Sequence, residues 1–377
     1  VLRATPTSRA PRLSSRALNR ALLARQLLLD RSPRPVLGAV EDLVGLQAQT
    51  PLAPYLSLWS RLHAFDPAGL AELLQNRQVV RISLMRSTIH LVSAADCRTM
   101  RPLVQTVGER GLRANFGRHL VGLEPAEIEA AGRAALRAGP LTFAQLGAVL
   151  AECWPGRDPS ALAYAVRTYV PLVQVPPRGL WGKGGLARHV PAESWLGAPL
   201  AAAPALEDMV SRYLGAFGPA SVADAQLWSG LTGLGEILDR LRPRLACFRD
   251  PAGRELFDLP DAPRPAADAP APPRFLPVFD NLLLSHADRS RVLGDDLRGK
   301  LPGTAALMAG TVLADGSVAA AWEVRGKASA ARLVVSPLVP VTAAQAGDIQ
   351  AEGAALLAFL VPEADRAEVD IEDGPVS

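Results

Sequence analysis

The sequence predicts a mainly α-helical chain with β hairpins (α+β), closed by a β-rich end. Three observations predict it. Apolar residues recur at helical spacing from Ser15 onward, short β-rich runs interrupt them, and one order of elements occurs three times before residue 260. Beyond residue 273 the pattern changes to strands.

In Ser15 to Asp30, Leu18, Leu22, Leu23, Leu27 and Leu29 mark a helix that Pro33 stops. Val36 to Leu46 predicts a second helix, finished before Pro51, and Leu52 to Leu62 a third. Pro67 starts a fourth, with Leu70, Leu73 and Leu74 as its apolar stripe. Val79 to Met85 and Thr88 to Val92 are β-rich and flank Arg86 and Ser87. Helices followed by a two-stranded hairpin is the order of a winged helix.

The order returns in Gly122 to Ala138, the helix opening at Thr142, Ala161 to Thr168, and a hairpin of Leu172 to Val175 with Leu180 and Trp181. It returns again in Leu206 to Phe217, a helix after Ser221, Leu234 to Leu241, and a hairpin within Ala246 to Leu259. Ser221 holds the capping place that Thr142 holds in the preceding copy. The expected organisation is a basic arm over 1–14, winged-helix units over 15–120, 121–200 and 201–260, a Pro/Ala linker over 261–273, and a β-rich domain over 274–377. In that last part the strands are Phe275 to Phe279, Ala305 to Leu313, Val318 to Val324 and Ala331 to Val335. Asp315-Gly316 turns a hairpin, Thr342 to Phe359 is a helix, and Val369 to Ile371 a final strand.

A chain of 377 residues, 49% hydrophobic, has length for two to four domains and composition enough to fold. No window of eighteen uninterrupted apolar residues predicts a membrane span. Val1 to Ser15 lacks the apolar segment of a secretory signal and reads as a ragged arm, so a cytoplasmic, nucleoid-associated protein is expected. Cys97, Cys153 and Cys247 are too few and too scattered for a disulfide framework, and the dispersed histidines give no metal-ligand spacing. Neither metal nor cofactor is expected.

The net charge of +3 is small, but Val1 to Val36 holds eight Arg against Asp30, whereas the chain beyond Gly347 is acidic. Such asymmetry fits a basic face offered to a polyanion, or simply two solvated faces. Only three of the forty basic residues are Lys, which reflects coding bias, so the Arg preference is not itself read as phosphate recognition.

Five segments, in this order, resemble the AlkZ/AlkX-type winged-helix DNA glycosylases, a bacterial family that unhooks interstrand crosslinks. They are GLQAQTP (Gly45 to Pro51), RSTIHLVSAAD (Arg86 to Asp96), RGLWGKGG (Arg178 to Gly185), ESWLG (Glu193 to Gly197) and FDNLLLSHADRSRVL (Phe279 to Leu293). The resemblance implies three winged helices stacked in a C-shape, a C-terminal β element, and a concave face for double-stranded DNA carrying alkylated guanine. It also implies that Gln47 and Gln49 are catalytic, in the double-glutamine form of the AlkZ-like branch.

On a helix, residues two apart point to nearly opposite sides, and the pair could not cooperate. Thr50, preceding Pro51, is pushed toward extended geometry, which would turn Gln47 and Gln49 to one side and Ala48 to the other. By themselves they are also what a fraying helix end looks like. Amides supply neither acid nor base. An N7-alkylated guanine needs neither to leave, because it is already cationic. Two oriented carbonyls would suffice to stabilise an oxocarbenium-like sugar and hold a water. No lysine matches the motif, so a monofunctional enzyme without lyase activity is expected.

Asp280 is a candidate assisting carboxylate, or else one half of an ion pair with Arg289. Candidate DNA contacts are Arg86 and His90 at the first hairpin, Arg178 and Lys183 at the second, and Asn281, His286 and Arg289 in the last segment. Trp181 reads as core. A monomer is expected. The alternative from another class is a non-catalytic winged-helix regulator, whose dimerisation helix or ligand domain the sequence does not display.

Overall fold

The computed structural model describes residues 10–294, 297, 310–327 and 330–374. The first nine residues of the basic arm, Lys300, and the start of the strand expected from Ala305 lie outside these.

The first group comprises α1 (Ser15–Arg25), α2 (Val36–Asp42), β1 (Leu46–Gln47), α3 (Ala53–Arg61), α4 (Pro67–Gln75), β2 (Val79–Ser83) and β3 (Ile89–Ser93). Ser14 caps α1 by accepting from the Ala17 amide. The helix ends short of Asp30, with Leu27 at φ 56°. More important is the end of α2, four residues before Leu46. Val44 and Gly45 turn to φ 54° and 85°, and the Gly45 amide bonds back to the Val40 carbonyl at 2.9 Å. A Cβ on Gly45 would stand 2.5 Å from Val92 Cγ1, so only glycine lets the chain turn there and become a strand.

The second group holds α5 (Ala94–Leu103) and α6 (Gln105–Phe116), neither foreseen, then α7 (Pro125–Ala135), α8 (Phe143–Cys153), α9 (Pro159–Tyr169), β4 (Leu172–Val175) and β5 (Arg188–Pro191). Thr142 and Gln145 form a capping box on α8. The hairpin differs from expectation: Leu180 and Trp181 belong to the connection, and β5 lies further on, against β4. A short helix, α10 (Ala192–Leu196), leads to the third group: α11 (Leu206–Phe217), α12 (Val222–Ser229), α13 (Leu234–Leu241), β6 (Ala246–Arg249) and β7 (Glu255–Asp258). Ser221 caps α12 in the same reciprocal way, with Asp224 as partner.

The first two hairpins join. Their strands make one sheet in the order β1-β3-β2-β4-β5, with Arg81 and Ile82 of β2 opposite Gln174 and Val173 of β4. The last part forms a second five-stranded sheet, β12-β11-β10-β9-β8, from β8 (Arg274–Leu276), β9 (Gly310–Ala314), β10 (Ser317–Lys327), β11 (Ala330–Pro337) and β12 (Arg366–Ile371). It is covered by α14 (Ala343–Leu360), and Asp315 and Gly316 turn the β9–β10 hairpin at φ 47° and 80°. Helix α3 packs against both β1 and β8 and so links the two sheets.

The N-terminal arginines correct the charge reading. Arg16 and Arg20 both pair with Asp315, Arg25 with buried Asp258 at 2.6 Å, and Arg31 with Glu352 at 2.6 Å. Four arginines of the basic start are thus neutralised within the fold, one of them, Arg31, by a carboxylate of the acidic end. Nor is the described part of the arm loose, since the Leu13 amide bonds the Arg249 carbonyl at 2.8 Å.

Candidate active site

The extended run is Leu46–Gln47 with Ala48 beside it, and it stops short of Gln49, which lies in a bend with Thr50. The break that starts it lies upstream at Val44 and Gly45 and not at Pro51. The run forms the edge of the first sheet, with Leu46 opposite Leu91 and Gln47 opposite His90, and Ala48 donating to the Ile89 carbonyl at 2.8 Å. The two glutamines then part. Gln47 is buried, whereas Gln49 is exposed.

Side chains from distant segments pin this strand. Arg86 Nη2 donates to Gln47 Oε1 at 2.7 Å, and Arg81 Nη2 to the Ala48 carbonyl at 2.8 Å. Asn281 Nδ2 donates to the Gly45 carbonyl at 3.1 Å. Gly179, at φ 95°, lets the backbone lie against the Arg81 side chain, where a Cβ would approach Cδ to 2.8 Å. Tyr55 donates to the Gly179 carbonyl at 2.8 Å, and its ring meets Trp181 at 5.0 Å. Four of the five sequence segments therefore converge on one strand. The exception is Glu193 to Gly197: Glu193 pairs with Arg133, and Trp195 lies under Arg77.

Arg86 itself sits in a left-handed turn with Ser87, at φ 54° and 59°. Such backbone costs on the order of 1 kcal/mol or more per residue and needs external support. Two other groups supply it. Arg167 of α9 donates to the Ser87 carbonyl at 2.8 Å, and the end of α12 gives the Trp228 carbonyl to Arg86 Nη1 at 2.5 Å. Gly230 closes over the Arg86 backbone, 3.3 Å from its Cα to an added Cβ. Burial, and then the charge of nearby Arg289, lower the Arg86 pKa to about 10, which leaves it cationic at neutral pH. The first hairpin's tip thus faces inward, where a phosphate contact had been expected.

His90 and His286 need the same correction. Both are buried, and neither presents surface to DNA. The His90 ring donates from Nδ1 to the Thr88 carbonyl at 3.0 Å; burial first, then the Arg86 charge, lower its pKa to about 3. His286 bonds the Phe217 carbonyl at 3.0 Å, and burial with the Arg291 charge again lowers its pKa to about 3. Asn281 is buried too, and its described role is to hold Gly45. Asp280 is half of an ion pair, but with Arg61, at 2.8 and 2.9 Å, and not with Arg289. Its carboxylate also accepts from Ser57 and from the Leu282 amide. Fully occupied and buried, it is poorly placed to assist a reaction. Arg178 is half-buried and donates to the Gly185 carbonyl at 2.9 Å; Lys183 is exposed; Arg289 is half-buried near Arg86.

Sequence reasoning missed Arg81, Arg61, Arg167 and Trp228. Arg81 alone left a signal, a charge inside the apolar run Val79 to Ile82. A cleft of about 950 Å³ elsewhere is rimmed by Asp30, Asp315, Asp348 and Glu352 and shares no residue with the glutamine strand.

The family described as "DNA glycosylase AlkZ-like" matches residues 40–359. The solved structure of Streptomyces sahachiroi DNA glycosylase AlkZ is similar with a TM-score of 0.76 and 21% identity, over 96% of this chain and 100% of that one. No curated protein sequence matches the chain.

Proposed function

We propose, since the chain belongs to the AlkZ-like DNA glycosylase family, that it hydrolyses the N-glycosidic bond of cationic N7-alkylguanine in double-stranded DNA, bulky adducts and interstrand crosslinks included. Glycosylase activity goes with the family; the substrate is our reading. The observation that carries it is the strand of Gln47, held by Arg86, Arg81 and Asn281 and leading into the exposed Gln49, which together offer amides where another glycosylase would offer an acid or a base.

Such a site suits a leaving group that brings its own charge. The bond from C1′ to the base breaks with its electron pair going to the cationic purine, which departs neutral. The sugar cation is captured by water, whose proton passes to solvent, leaving an abasic site. Amide dipoles stabilise the developing charge without taking a proton. A bulky adduct resists extrusion into a closed pocket, so the reading includes action without full base flipping. With no lysine in the glutamine motif, no Schiff base forms and the strand is left intact.

The test is single-turnover release from duplexes carrying N7-methylguanine or uracil. The alkylated base should be released and uracil retained, with no protein–DNA adduct trapped by borohydride. Release of neither base, with tight binding to one DNA sequence, would point instead to a non-catalytic regulator. Efficient uracil release would reveal an acid outside the glutamine pair.

A further inference from the structure

We infer that Arg86 is a positioning residue that divides the labour of the two glutamines, turning Gln47 into a hydrogen-bond donor toward the DNA and leaving the carbonyl work to Gln49. The inference rests on the glycosylase reading above and deepens it.

The argument starts from donor chemistry. A guanidinium has donors only, so the Gln47 atom 2.7 Å from Arg86 Nη2 is necessarily the carbonyl oxygen, and the amide cannot be flipped. Arg86 is itself fixed, by the Trp228 carbonyl on Nη1 and by the turn that Arg167 holds. One lone pair of Gln47 Oε1 is thereby committed to a cation, which fixes the amide's orientation, and its NH2, a donor in no described hydrogen bond, is the end presented to a ligand. Gln47 is buried and lies opposite His90, whose Nδ1 proton goes to the Thr88 carbonyl. Burial beside the Arg86 charge keeps His90 neutral, so with Nδ1 donating its Nε2 is an acceptor, and that atom has no described partner. Buried polar groups thus back Gln47, which keeps 6% of its surface exposed.

The polarity matters for the reaction. A carbonyl dipole stabilises a sugar cation, whereas an NH2 end directed at it would oppose it. Gln47 must then address an acceptor, either a base oxygen or nitrogen or the oxygen of the attacking water. Gln49, exposed and joined to no described side chain, keeps its carbonyl free for the sugar. Two like residues thus carry opposite ends of the amide into one site.

Charge-changing isosteres separate the two ends. Gln47→Glu keeps the acceptor for Arg86 and deletes the donor. Gln49→Glu keeps, and strengthens, the acceptor. In single-turnover excision of N7-methylguanine by the full chain, Gln47→Glu should lose about a hundredfold or more, the range for removing one oriented donor. Gln49→Glu should lose less than threefold or gain. Arg86→Ala should slow excision about tenfold, add nothing to Gln47→Ala in the double variant, and leave DNA affinity and its salt dependence unchanged; Arg86→Lys should recover part of the rate. Wild-type activity in Gln47→Glu would overturn the inference, as would additive losses for Arg86→Ala and Gln47→Ala. If the wild-type chain releases no N7-methylguanine at all, the glycosylase reading has failed first, and the two failures are told apart on that control.

Discussion

The two five-stranded sheets differ in what they hold. The C-terminal sheet is filled by Val312, Leu333, Val335, Phe275 and Trp322, with the Trp322 indole bonded to the Leu276 carbonyl at 2.9 Å. The first sheet, carrying the glutamines, buries Arg81, His90 and His189 among its strands, each with a side-chain nitrogen lacking a described partner, where the second buries Arg274 and Thr311 with one such atom each. Burying such groups is costly unless they are paired. The difference lies in what these groups hold: Arg81 reaches the Ala48 carbonyl beside the glutamines, whereas Arg274 reaches the Leu29 carbonyl and Glu352. The first gives up packing to fix one edge strand through Arg81 and Arg86, and that is where function is to be sought.

The joint between the sheets should show the largest effect. Arg61 on α3 and Asp280 are both about 1% exposed and bond at 2.8 and 2.9 Å. Removing one partner strands the other charge, which typically costs about 3–5 kcal/mol. Asp280→Asn should lower unfolding free energy in urea by that order and leave excision per folded molecule unchanged. Intact stability with lost activity would return Asp280 to the reaction and break the comparison.

That pair also marks how far the sequence could be read. The helices Leu206–Phe217 and Leu234–Leu241 fall where periodicity put them, because a helix is local and its apolar stripe is visible. The extended run at the glutamines was legible for a partly wrong reason: Pro51 suggested it, but Gly45, pressed on Val92, produces it. Asp280 and Arg61 stand 219 positions apart, and nothing in spacing could select Arg61 over Arg289. The union of the two hairpins into one sheet, through Arg81–Gln174 and Ile82–Val173 pairing, is likewise a long-range event. The glutamine motif was visible through family resemblance, but the side chains that hold it were not.

Acid should act on the two sheets unequally. Burial lowers the His90 pKa to about 3 and that of His189 to about 4, below the ordinary value of 6.5. Between these values the unfolded chain takes up protons that the folded chain refuses. Stability is therefore full above pH 6.5 and falls as pH drops toward 4, by up to about 1.4 kcal/mol per unit for each histidine. No histidine follows His286, so the C-terminal sheet lacks this sensitivity. Hydrogen exchange at pH 5 should show β3 and β5 losing protection before β9 and β11. Equal loss in both sheets would remove the distinction.

Two glycine substitutions sharpen it further. Gly45→Ala forces a Cβ onto Val92 at φ 85°, and Gly310→Ala forces one onto the Trp322 ring. Each should cost about 1–3 kcal/mol through overpacking or strain. Only Gly45→Ala should slow excision per folded molecule, because only Gly45 leads directly into the glutamine strand. Equal slowing in both would mean that the site depends on the whole fold and not on its own sheet.

The smallest effect concerns the outer charges. On the C-terminal sheet, Arg325 faces Glu323 and Glu372, and Arg332 faces Glu368 and Asp370, so those arginines are already neutralised. In the connection between β4 and β5, Lys183 is exposed, and Arg188 at the start of β5 is exposed as well. A cation that must leave an acid to meet phosphate gains little, whereas one that is solvated gains the release of a counterion. Lys183→Ala should therefore weaken binding alike on any duplex and flatten the salt slope by about one unit. Arg332→Ala should leave both unchanged. Measuring affinity for undamaged DNA across a salt series isolates this from the chemistry, since no bond breaks. Reversed behaviour, with Arg332 setting the slope and Lys183 without effect, would move the DNA from the first sheet to the second.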